Sequence, residues 1–115
     1  MATNVSGHGN VKVVDSDAFF KAELKKAGNK LVIVDFHATW CGPCKTIAPA
    51  FTDLSVKHVD IVFLKVDVDN NNEIAQRYNV TAMPTFLFFK LEQVIESMKG
   101  ADIKQLKSLI DKHTN

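Results

Sequence analysis

Hydrophobic positions fall into two patterns along the chain. Leu31 to Phe36 is apolar at every position but Asp35, which predicts a strand buried on both faces. Ile61 to Val66 and Thr85 to Phe89 predict two more strands, and Val11 to Val14 a shorter one. Gln93 to Met98 predicts a strand that pairs back as a hairpin, after a turn near Leu91-Glu92. Between these runs the apolar spacing is that of a helix. Phe19, Phe20 and Leu24 mark a first helix, capped by Ser16 or Asp15 and stopped by Gly28-Asn29. Ile47, Phe51 and Leu54 mark a second, from about Cys44 to His58, which Pro49 should kink by removing one internal hydrogen bond. A short third helix is expected at about Asn72 to Tyr78. A fourth follows Asp102, with Ile103, Leu106 and Ile110 inward. Strands alternating with helices give an α/β class, and the strand–helix–strand unit around the second helix should be parallel and right-handed. Met1 to Asn10 is polar and predicts a flexible tail, leaving 11–115 as one domain.

Composition changes this picture little. A chain of 115 residues suits one core, and 46% hydrophobic with 23% charged residues is ordinary for a globular protein. A formal net charge of +1 offers no electrostatic footprint for nucleic acid or an anionic membrane. No apolar run approaches transmembrane length. The cysteines say more. There are two, Cys41 and Cys44, whereas a small secreted domain usually carries several bridges. The first residues have neither a basic start nor an apolar core, so the expected compartment is the cytoplasm.

Both cysteines sit where a predicted strand gives way to a predicted helix. The first N–H groups of a helix lack partners, and its dipole places positive charge there. A thiolate is stabilised at such a position and attacks disulfides faster. Two thiols separated by two residues across the turn can also close on each other, so Cys41 and Cys44 read as a reversible dithiol/disulfide couple. Cys41, on the solvent side of the strand end, is the expected nucleophile. Cys44, inside the first turn and more buried, is the expected resolving thiol. The competing reading is half of a zinc site, but His8, His37, His58 and His113 show no ligand spacing relative to the pair. Asp67-x-Asp69-x-Asn71 suggests a calcium loop only superficially, because Asn72 and Tyr78 stand where glycine and glutamate are required. No metal and no cofactor is expected.

The run Asp35-Phe36-His37-Ala38-Thr39-Trp40-Cys41-Gly42-Pro43-Cys44-Lys45 resembles the active-site signature of the thioredoxin family. Met83-Pro84-Thr85-Phe86 and Gly100-Ala101 follow at matching distances, and the likeness extends from about Val11 to His113. It implies a thioredoxin fold, with a mixed five-stranded sheet in the order 1-3-2-4-5 and helices on both faces. It implies a protein-disulfide reductase serving cell redox homeostasis, since Gly42-Pro43 between the cysteines accompanies reducing members. Disulfide-containing client proteins and an NADPH-dependent thioredoxin reductase would be its partners. Asp35 would accept the Cys44 proton, against a purely structural reading of a buried aspartate. Lys65 would sit near Asp35, against a strand lysine that merely reaches solvent. Pro84 would be cis and turn the Met83 backbone toward clients, against a simple turn proline. Trp40, Gly42, Pro43, Met83, Pro84, Gly100 and Ala101 would form an apolar collar around Cys41. The other class of function is an interaction module from a larger thioredoxin-like chain, its cysteines secondary.

His37 departs from the residues commoner at that position in the family. Strand alternation puts it on the same face as Asp35 and nearer the cysteines. A cationic imidazole there would favour the Cys41 thiolate. A neutral one would simply fill space.

Overall fold

The computed structural model describes residues 8–114, so the expected tail lies outside them up to residue 7. Residues 8–10 form a turn. The Val11 N–H donates to the His8 carbonyl, and Asn10 bonds Ser55 through both its backbone and its side-chain amide.

Nine elements follow in order among the described residues. They are β1 (Val11–Val13), α1 (Asp17–Ala27), β2 (Val32–His37), α2 (Gly42–Lys57), β3 (Val62–Asp67), α3 (Asn72–Arg77), β4 (Thr85–Lys90), β5 (Gln93–Lys99) and α4 (Ile103–Thr114). The sheet order is β1-β3-β2-β4-β5, the order that the resemblance implied. β1 and β2 run parallel to β3, while β2–β4 and β4–β5 are antiparallel.

The strand residues alternate between two cores. Val32, Val34 and Phe36 of β2 join Leu64 and Val66 of β3 and pack on α1 and α3 through Phe20, Leu24 and Ile74. Ile33, Phe63, Phe86 and Phe88 point the other way, onto Ile47, Phe51 and Leu54 of α2 and Leu106 and Ile110 of α4. β2 is thus covered on both faces, which is why its sequence is a continuous apolar run rather than an alternating one. Phe51 is wedged edge-on against Phe63 with centroids 5.2 Å apart.

The ends of the elements follow local chemistry. Ser16 Oγ accepts the Phe19 N–H at the start of α1, and Asp102 Oδ1 accepts the Gln105 N–H at the start of α4. Gly28, at φ +59°, closes α1. The two-residue turn between β4 and β5 places Leu91 and Glu92 at φ +51° and +64°. α2 begins two residues earlier than its apolar spacing suggests. Pro43 has no N–H to lose and its fixed φ suits a first turn, so the helix starts at Gly42. It then continues through Pro49, held by its apolar face.

Candidate active site at the strand-to-helix junction

β2 ends at His37, and four residues later Cys41 becomes the N-cap of α2. Its sulfur accepts the Cys44 N–H at 3.2 Å, one of the donors a helix start leaves without a partner. No acidic residue lies in that first turn to compete for the positive end of the dipole. Cys41 and Cys44 are disulfide-bonded, with Cα atoms 5.3 Å apart. The expected contrast in burial is absent. Cys41 is 5% and Cys44 4% exposed, and both belong to one buried cluster against which Met83 packs. What separates them is the cap: only the Cys41 sulfur receives a helix N–H.

Residues distant in sequence complete the site. β4 is antiparallel to β2, so the start of β4 lies beside the end of β2. The Met83–Pro84 peptide before it is cis, and the Met83 carbonyl oxygen lies 3.6 Å from Cys41 Sγ. The Gly100 N–H donates to the Pro84 carbonyl at 2.9 Å, bringing the end of β5 to the same rim. Gly42 and Pro43 are exposed, Met83, Gly100 and Ala101 half-buried, and Pro84 buried. Trp40 is 67% exposed. Its indole Nε1–H donates to Asp69 Oδ2 at 3.0 Å, which fixes the ring at the edge of the site. Asp69 was not anticipated as a site residue. The available signal was that an exposed indole N–H held in place needs an acceptor.

Asp35 is fully buried, and among the described residues neither carboxylate oxygen has a hydrogen-bond partner. Burial pushes its pKa up to about 7, against a smaller opposing pull from the Lys65 ammonium. Lys65 is its direct partner across the β2–β3 ladder. His37 is half-buried, and its pKa is lowered by that burial, then by Lys65, with Asp67 acting in the opposite sense. The cationic imidazole considered from sequence is therefore disfavoured near neutral pH. Among the described residues, no group of three or more His, Cys, Asp or Glu side chains could hold a metal ion.

A capped cysteine pair at the end of a strand that carries a buried acid can support reversible thiol–disulfide exchange. Comparisons agree with this chemistry. The Thioredoxin family model matches residues 10–112. The chain is 48% identical over 100 residues to thioredoxin from Equus caballus, spanning 87% of this chain and 95% of that one. It is 50% identical over 100 residues to human thioredoxin domain-containing protein 2, covering 87% of this chain but only 18% of that longer protein. Its structure superposes on a thioredoxin from Nicotiana alata with a TM-score of 0.90 and 38% identity, covering 98% of this chain and all of that one. A thioredoxin f2 solved in complex with ferredoxin:thioredoxin reductase is a further neighbour, with a TM-score of 0.87 and 37% identity, covering 93% of this chain and 97% of that one. The chain therefore belongs to the thioredoxin family and is a thiol–disulfide oxidoreductase.

Proposed function

We propose that the protein is a protein-disulfide reductase contributing to redox homeostasis, with its activity in one domain over residues 11–115. Cys41 attacks the client disulfide, forming a mixed disulfide and expelling one client thiolate. Asp35 takes the proton of Cys44. The Cys44 thiolate then attacks the Cys41 sulfur, the bond from Cys41 to the client breaks, and the electron pair leaves with the second client sulfur. Trp40, Gly42, Pro43, Met83 and Pro84 dock the client, whose extended segment pairs with the Met83 backbone. Lys65 limits how far the Asp35 pKa rises. The observation that carries the reading is the Cys44 N–H directed at Cys41 Sγ, which favours a thiolate on Cys41 rather than Cys44.

The reduced form is regenerated by an NADPH-dependent thioredoxin reductase in the cytoplasm. A neighbouring thioredoxin crystallised with a reductase supports the partner class. Reduction of insulin disulfides by the reductase, NADPH and this protein tests the assignment. Cys41→Ser should abolish turnover, and Cys44→Ser should accumulate mixed disulfides visible on non-reducing gels. Equal trapping by the two single variants would overturn the division of roles. Fractionation of source cells tests the compartment.

The human relative of which this chain spans 18% favours a second reading, a thioredoxin-like module within a larger chain. Client binding that survives the double Cys41→Ser, Cys44→Ser change would favour it.

A further inference from the structure

Asp35 poses a problem of proton traffic. In each turnover it gains a proton from Cys44 and must lose it again, yet it has no exposure and, among the described residues, no hydrogen-bond partner. Its nearest polar neighbours on the same sheet face are Lys65, directly across the ladder, and His37, two residues along β2. Both border one cavity of about 340 Å³, whose wall also includes Cys44 and Lys45. The space is large enough to hold water. His37 and Lys65 also border a second cavity of about 460 Å³, which continues away from the cysteines past His8, Asp15 and Asp67. His37 thus lies between the flank of the resolving thiol and open solvent.

We propose that His37 relays the proton of the resolving step, accepting it from Asp35 along the face of β2 that the two share and releasing it to water through the cavities that His37, unlike Asp35, borders. This rests on the assignment of Asp35 as proton acceptor and Cys44 as resolving thiol. The proton moves from Cys44 Sγ to the Asp35 carboxylate, then to the free ring nitrogen of a neutral imidazole, then to water. No electron moves in the relay, and His37 ends each cycle neutral.

The surrounding charges suit this role. Lys65 from β3 and His8 ahead of β1 oppose a lasting imidazolium, and Asp67 from β3 favours a transient one, while Lys45 from α2 and Asp15 beyond β1 line the same cavities. Lys65, itself a cation, has no lone pair to offer. Asp67 is already engaged, accepting the Asp69 N–H and the Asn70 side-chain amide. A neutral imidazole has a free ring nitrogen that can accept a proton and pass it on.

Stopped-flow reaction of the reduced full chain with dithiobis-nitrobenzoate separates the two steps. The first chromophore release reports attack by Cys41, and the second reports resolution by Cys44. In His37→Asn the first release should be unchanged, and the second about tenfold slower at neutral pH. Added imidazole should restore the second rate in His37→Asn and leave the parent unaffected. A second release at the parental rate, or a slowed one that imidazole does not restore, would overturn the relay. Failure of the underlying reading looks different: Asp35→Asn would then release the second chromophore at the parental rate.

Discussion

Asp35 shows how one residue can oppose the fold that holds it. An ionised carboxylate without partners is costly to bury, so the folded chain favours the protonated form. With a folded pKa of about 7 against an ordinary 3.8, the folded state holds a proton that the unfolded chain has released across that window. Stability therefore falls as pH rises through the window and is flat, for this group, on either side of it. The full drop is about 4 kcal/mol, from roughly three pK units at 1.36 kcal/mol each. Asp35→Asn should abolish this slope and leave the oxidised protein more stable than the parent above neutrality, while slowing turnover. Denaturation of oxidised parent and variant at about pH 4 and about pH 8 checks it. Equal pH slopes would refute the shifted acid. Asp35 was legible in the sequence because it interrupts an apolar run. Asp69 was not, because its partner Trp40 lies 29 positions away and only the folded loops bring them together.

Among the elements, the β4–β5 hairpin carries a local conflict. Its turn holds Leu91 and Glu92 in the left-handed region, where a side chain costs about 1–2 kcal/mol per residue. Tight hairpins of this twist normally place Asn-Gly there. The conformation persists because Phe88 and Phe89 are fully buried and the Leu91 N–H donates to the Gly28 carbonyl, pinning the turn to the end of α1. Glu92→Gly should raise stability by about 1 kcal/mol with unchanged activity, read from the midpoint of chemical denaturation. An unchanged or lower midpoint would mean that the turn is not strained. The elements themselves were largely visible from period and turn residues. Their ends shifted by a residue or two, most informatively at α2, where a proline and a sulfur cap moved the start ahead of the apolar spacing.

On the scale of the whole molecule, the site depends on strand order rather than on any one segment. Parallel β2 and β3 bring Lys65 opposite Asp35, and antiparallel β4 and β5 bring Met83, Pro84 and Gly100 to the cysteines. Periodicity carries no information about that order, which entered only through the family likeness. Gly100 tests the arrangement. At φ +94° a side chain is strained even though the space around it is open. Gly100→Ala should cost about 1–2 kcal/mol and slow reduction of protein clients more than of small disulfides, because it disturbs the rim rather than the cysteines. Equal slowing of both substrates would place the damage at the cysteines. Trp40, the single tryptophan of the chain, stands on that rim beside Cys41, its ring anchored by Asp69. All indole emission therefore originates within one residue of the disulfide, with no background from elsewhere in the molecule. The protein carries its own optical gauge, and opening of the disulfide or arrival of a client can be followed without a label.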